Sequence, residues 1–293
     1  MKSFYGRLAL YGMFFLLVVL LFHLPSFSNK DRIMIGAKNN PECQILAEIM
    51  TQMVERDTSY PVRNMLCLEG TYVAFHALVS KSIDLYVDYT GTLLLTILGE
   101  IPSKRTFSEL QEQLAIEKQL SEQFGISIVF PFGFRNAYVL LAREDFPQNR
   151  IRDLTGMPLR YGFDAEFIAR KESQLLKDRY QLSFQDCRLM DTALLYLSLQ
   201  SSALDVISAN HTDGDILRYP VKILEGDPDL FPAYSAVCLA RKGWEMEHPE
   251  IVATIGKLQN KISVEKMREM NAAFAQGVPR REIAKKFLKE SNL

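Results

Sequence analysis

From Arg32 onward the chain alternates short apolar runs rich in valine, isoleucine and tyrosine with longer stretches whose apolar positions recur at helical spacing. Alternation with a period of two marks a strand with one buried face, an unbroken apolar run marks a strand buried on both, and a period of about 3.6 marks a helix. The runs predict strands at 33–35, 62–66, 85–89, 126–130, 138–142, 159–162, 188–190, 204–207, 221–224 and 236–240. Helices are predicted at 42–56, 72–80, 106–124, 166–179 and 192–199. The stretch 248–290 reads as three amphipathic helices, the last two parted by Gly277 and Pro279.

Strand followed by helix, repeated, predicts an α/β fold in which parallel or mixed sheets carry helices on their faces. A chain of 293 residues suggests two domains of ordinary size. No Pro/Gly/Ser-rich linker separates them, so strands must cross between the two. Two stretches have the right character, "FPFGFRNAYV" from Phe130 and "DLFPAYSAVC" from Asp229, each placing proline and aromatics beside a β-rich run. Hinges near 134–136 and 232–234 give a discontinuous lobe I, 29–135 with 236–293, and a lobe II over 136–235.

One junction stands out. In "DLYVDYTGTLLL" a strand ends at Tyr89 and turns through Thr90, Gly91 and Thr92 into an apolar helix. Strand ends and helix N-termini converge on the ligand crevice of α/β sheets. The plain alternative is a capped turn with Thr92 as the helix N-cap.

Charge narrows the partners. The 34 basic and 35 acidic residues nearly cancel, which points away from nucleic acid and acidic membrane surfaces and toward a small ligand. Lys2 and Arg7 precede an uncharged run over 8–24, followed by Pro25 and the small residues "SFS". This predicts a signal peptide over 1–28, or an uncleaved anchor, and hence export to the periplasm. Cys43, Cys67, Cys187 and Cys238 are scattered without metal-ligand spacing, so no metal is expected.

Catalytic signals are weak: there is no GxSxG, GxxxxGK or HExxH, and the four histidines lie far apart. His76 reads as a core residue, His211 as a loop residue past the β-run "ALDVIS", and Asp213 with Gly214 as a turn that starts a helix. Neither an enzyme nor a cofactor is expected. Tyr89, Tyr138 and Tyr234 each fall at a strand end or predicted hinge. Ring faces converging on one crevice favour a cation that donates no hydrogen bonds, and Lys38 and Arg170 offer positive charge for an anionic group. Each taken alone is as well explained by interface packing or a solvated surface charge.

The ordered segments "IMIGAKNNPECQILAEIM", "YTGT", "GFDAEFIARKESQLLKDRYQL", "LMDTALLYLSLQSSALDVISANHTDG" and "FPAYSAV" resemble the glycine betaine/carnitine/choline-binding proteins of osmoprotectant ABC importers. The C-terminal "HPEIVATIGKLQNKISVEKMREMNAAF" is similar to that family's closing helices, so the resemblance covers nearly all of the chain past the targeting segment. It implies a two-lobed type II periplasmic-binding fold with two crossover hinges. It also implies a monomer that gives a small zwitterionic or cationic ligand to an ABC permease of the inner membrane. By motif, Tyr89, Tyr138 and Tyr234 match cage tyrosines around a trimethylammonium group, while Lys38, Arg170 and Thr92 match the groups that hold a carboxylate. Asn210 stands where the family pattern has a further cage tyrosine, which lowers affinity for a quaternary ammonium or marks a site rebuilt for another small amine or an amino acid. A sensor or enzyme built on the same fold is the rival reading.

Overall fold

A computed structural model describes residues 32–100, 109–227 and 233–293. The predicted targeting segment and Pro232 lie outside the described residues. Among the described residues ten strands form two five-stranded sheets. The first has the order β2 (Val62–Leu68), β1 (Ile33–Lys38), β3 (Leu85–Tyr89), β10 (Ser235–Arg241), β4 (Ile126–Arg135). The second runs β7 (Arg188–Leu189), β6 (Tyr161–Phe163), β8 (Val206–Asn210), β5 (Tyr138–Arg143), β9 (Val221–Ile223). In the first sheet β1 runs parallel to β2 and β3, while β10 is antiparallel to both β3 and β4. In the second β6 is parallel to β7 and β8, and β5 is antiparallel to β8 and β9.

The apolar pattern explains the layering. Strands β3 and β10 carry no polar alternation and are buried on both faces, whereas the edge strand β2, "VRNMLCL", is half exposed. Each sheet separates two apolar clusters. In the first, Ile45, Ile49 and Met53 pack on one face with Met267 and Phe287 from the C-terminal helices, and Phe75, Leu93 and Leu120 pack on the other. In the second, Phe163 and Phe167 lie on one face and Leu195 and Leu204 on the other.

All ten predicted strands fall on observed ones, with ends moved by a few residues; β8 runs on to Asn210 and β6 starts at Tyr161. Three readings are corrected. The predicted helix 166–179 is two helices, Ala165–Ala169 and Lys171–Tyr180, because Arg170 between them is extended at φ −84°, ψ 154°. The first is capped by Asp164, which accepts from Phe167 N at 2.8 Å, and Ser173 Oγ donates to the Arg170 carbonyl at 2.8 Å. Thr92 is no N-cap: the helix begins at Thr90, Tyr89 is the cap residue without a side-chain bond, and the turn widens into a π-helix at Leu93–Ile97. His76 is exposed, since the Gly70–Val79 helix buries Ala74, Phe75 and Leu78 and so turns residue 76 outward.

Two crossovers join the sheets. Between β4 and β5 lie only Asn136 and Ala137, and Tyr234 leads directly into β10. The crossovers are tied to each other, since Asn136 N donates to Tyr234 O at 3.0 Å. A third link runs from the Val264–Ala275 helix to the loop after β8: Arg268 Nε donates to His211 O at 2.7 Å and Asn271 Nδ2 to Thr212 O at 2.8 Å. Among the described residues no helix is long and apolar enough to cross a membrane.

Candidate functional site

A cleft of about 980 Å³ lies between the sheets, walled by strand ends and helix starts. Lys38, Tyr89, Thr92, Tyr138, Arg170, Asn210 and Tyr234 all line it. Lys38 ends β1. The chain then turns at once into the Pro41–Asp57 helix, whose cap Asn40 accepts from Cys43 N at 2.7 Å, so Glu42 in the first turn also faces the cleft.

Lys38 is held from several sides. Its ammonium pairs with the buried Asp88 at 2.6 Å, reaches Thr71 Oγ1 at 3.4 Å and lies 5.0 Å from the centroid of the Tyr89 ring. Burial pulls its pKa down, but the charge and hydrogen bond of Asp88 outweigh that and leave it above the ordinary lysine value. Arg170 works against this from across the cleft, so the two cations feel one another. Two of the three ammonium donors are used in these contacts, leaving one for a ligand.

Because Arg170 is outside the helical ladder, its guanidinium reaches four partners. It donates to Glu166, lies 3.4 Å from the Tyr234 hydroxyl and 3.7 Å from Glu172, and sits 5.4 Å from the centroid of Tyr138. Burial lowers its pKa while the bond to Glu166 and the nearby phenols raise it, with a net rise. Tyr138 packs on Phe167 at 5.0 Å between centroids. Directly opposite Tyr138 on β8 stands Asn210, and directly paired residues of an antiparallel ladder share a face, so the Asn210 amide projects beside the Tyr138 ring.

Tyr234 has φ +47°, a left-handed conformation that costs a residue other than glycine about 1 kcal/mol or more. This aims its ring into the cleft, where its hydroxyl donates to the buried Glu172. Tyr89 likewise donates to the buried Glu42. Burial raises the pKa of all three tyrosines, so their rings are neutral and their hydroxyls protonated. Thr90 fastens the turn to the second crossover by accepting from Ser235 N at 3.0 Å. Tyr72, 59% exposed, forms an aromatic rim and donates to Thr96 O at 2.7 Å.

Glu42, Glu172, Asn136 and Asn271 were not singled out from sequence. An acid in a first helical turn looks like ordinary dipole compensation, and nothing local in "NPEC" marks Glu42 as the partner of a tyrosine far along the chain. His211 lies behind the cleft wall, its backbone bonded to Ala137 O at 2.9 Å. Cys43 and Cys238 are buried, Cys67 is exposed, and all four cysteines are free.

A family model described as the substrate binding domain of ABC-type glycine betaine transport system matches residues 31–290. The chain is 32% identical over 253 residues to the carnitine transport binding protein OpuCC of Listeria monocytogenes, covering 83% of this chain and 81% of that protein. It is 27% identical over 276 residues to the ergothioneine transport permease/ergothioneine binding protein EgtU of Helicobacter pylori (strain G27), covering 91% of this chain and 49% of that one. A crystal structure of a glycine betaine/carnitine/choline ABC transporter superposes with a TM-score of 0.80 at 27% identity, covering 89% of this chain and 98% of that one.

Proposed function

Because the chain belongs to the family of substrate-binding domains of ABC-type glycine betaine transport systems, we propose that it captures a quaternary-ammonium compatible solute between two lobes for an ABC permease. The family is one of transport proteins rather than enzymes. The architecture is the type II periplasmic-binding fold, with two sheets joined by two crossovers. In this reading residues 29–135 with 236–293 form lobe I and 136–235 form lobe II. The chain acts as an exported periplasmic monomer, binding its ligand without turnover.

The carrying observation is the convergence of three tyrosine rings and two mutually sensing cations on one cleft. Tyr89, Tyr138 and Tyr234 offer ring faces to a trimethylammonium group, which has no hydrogen to donate and so gains most from π-potential. Lys38, Arg170 and Thr92 offer donors to a carboxylate. Charge favours the same ligand class: against Lys38 and Arg170 the wall sets Glu42, Glu69, Glu166, Asp213 and Asp215, an acidic excess that suits a cation or zwitterion better than an anion.

The Asn210 amide supports a second reading, in which the ligand carries a hydrogen-bonding group beside its ammonium. The H. pylori relative is named for ergothioneine. Calorimetric titration with glycine betaine, choline, carnitine and ergothioneine separates the two. In the first reading Asn210→Tyr adds a fourth ring face and tightens glycine betaine binding by about 1–2 kcal/mol, roughly tenfold. In the second it removes a ligand hydrogen bond and abolishes binding of the larger solute. Wild-type protein that binds none of the four would sink the proposal.

Closure is the second expectation. The lobes bend about Asn136–Ala137 and the segment entering β10, and closing desolvates the tyrosine faces so that cation–π attraction reaches its full strength. Small-angle scattering at saturating ligand should show a smaller radius of gyration. An unchanged radius in a protein shown to be saturated counts against closure.

A further inference from the structure

Two cleft tyrosines rest their hydroxyls on buried carboxylates, and the carboxylates differ in what answers their charge. Glu172, beneath Tyr234, has the Arg170 guanidinium 3.7 Å away. Glu42, beneath Tyr89, has only neutral partners. Its Oε1 accepts from the Tyr89 hydroxyl and from Asn136 Nδ2 at 3.2 Å, and its Oε2 accepts from Asn271 Nδ2 at 3.0 Å, with the Thr212 hydroxyl alongside. Among the described residues no lysine or arginine pairs with it. Both oxygens accept hydrogen bonds, an arrangement that can hold the ionised form once a cation is near.

Glu42 is 5% exposed and lines the cleft. Burial holds its pKa above the ordinary carboxylate value, and the four hydrogen bonds offset only part of that rise. The simplest account is that Glu42 answers the N-terminal dipole of its helix. That dipole amounts to about half a charge, which leaves a negative excess. The Asn271 side chain adds to it: both its amide hydrogens go to acceptors, Glu42 and the Thr212 carbonyl, and its buried Oδ1 has no partner. A full charge held by neutral dipoles in a low-dielectric wall is unfavourable until a positive charge arrives.

We propose that Glu42 determines the charge specificity of the site, supplying through Tyr89 and beside Asn271 the negative charge that selects a quaternary-ammonium head group over an uncharged group of the same shape. The inference rests on the quaternary-ammonium reading and adds the group that sets its charge preference. Tyr89 is the intermediary: its hydroxyl edge lies on Glu42 while its ring borders the cleft, so the carboxylate enriches the ring and its field reaches the ligand without direct contact.

The test compares glycine betaine with 3,3-dimethylbutanoate, in which a carbon replaces the cationic nitrogen and the carboxylate is retained. Wild type, Glu42→Gln and Glu42→Asp are titrated as full chains with both. Glutamine keeps the volume and an acceptor for Tyr89, and Asn271 can turn its unpartnered oxygen to the new amide. The expected result is an approximately tenfold loss of glycine betaine affinity in Glu42→Gln, with the anionic isostere, whose head group is uncharged, changed by about twofold or less. Glu42→Asp keeps the charge and should retain the wild-type preference ratio even where misplacement of Tyr89 weakens both ligands. Equal losses for both ligands in Glu42→Gln would reduce Glu42 to a strut for Tyr89, and an unchanged ratio would remove it from selection; either overturns the inference. A preference lost in Glu42→Asp overturns it as well, which keeps the test decisive if the glutamine variant does not fold. Wild-type protein that binds none of glycine betaine, choline, carnitine and ergothioneine refutes the functional reading and this inference together. Wild-type binding with an unchanged ratio in Glu42→Gln refutes this inference alone.

Discussion

Arg170→Ala is expected to weaken binding of a carboxylated quaternary ammonium by about 2–3 kcal/mol, roughly a hundredfold, while a choline-type ligand without a carboxylate loses much less. The guanidinium stands between Glu166, Glu172, the Tyr234 hydroxyl and the Tyr138 ring. Alanine removes the charge-assisted donors that a carboxylate would use. It also leaves Glu172 buried with, among the described residues, the Tyr234 hydroxyl as its remaining side-chain partner, so part of the loss is in stability and shows as a lower melting temperature. Arg170→Lys should rescue little of the affinity, because one ammonium cannot occupy the positions of a planar fork that serves several partners at once. Calorimetry with glycine betaine and choline in parallel decides the matter. Equal losses for the two ligands would make Arg170 a support for Glu172 and Tyr234 rather than a carboxylate clamp.

That arrangement depends on a break in a helix which the sequence conceals. Positions 166–179 keep a helical period throughout and contain neither glycine nor proline, so nothing local argues for an interruption at Arg170. What decides it is tertiary. Asp164 is fixed by Ser208 Oγ at 3.0 Å and caps the first helix, while the next helix buries Glu172 and Ser173, and the two demands meet at one extended residue. The strands, by contrast, were readable because their apolar runs end at glycine, proline and polar clusters, and sheet pairing extended them without moving them. Lys38, Tyr89 and Asn210 line one cleft because they end strands, and such ends gather on one side of a sheet; Tyr138 and Tyr234 join them from the starts of the antiparallel β5 and β10. The side chains behind them were not readable in the same way. Glu42 and Asn271 meet across 229 positions, and the left-handed backbone that aims Tyr234 has no signature in a tyrosine.

Gly214→Ala is expected to destabilise the protein by about 3 kcal/mol, read as a melting temperature lower by roughly 5–10 °C. Gly214 opens the turn after β8, and its backbone conformation is not the reason for glycine. A Cβ built there would stand 2.4 Å from Ala272 N, 2.6 Å from Ala272 Cα and 2.9 Å from Asn271 C, all backbone atoms of the Val264–Ala275 helix. Backbone cannot rotate aside as a side chain does, so the turn and the helix must separate. The turn is held firmly, since Asp213 accepts from Asp215 N at 3.1 Å and from the Tyr196 hydroxyl at 3.0 Å. Separation would therefore strain the bonds from Arg268 to His211 and from Asn271 to Thr212, the third link between the two sheets. It would also draw Asn271 away from Glu42, so ligand affinity should fall along with stability. Gly256→Ala is the control: no atom outside its own helix lies within 4 Å of its would-be Cβ, and its φ of −61° suits alanine, so its effect should stay within about 0.5 kcal/mol. A melting temperature unchanged in Gly214→Ala would mean that turn and helix part easily and that the third link does not hold the lobes.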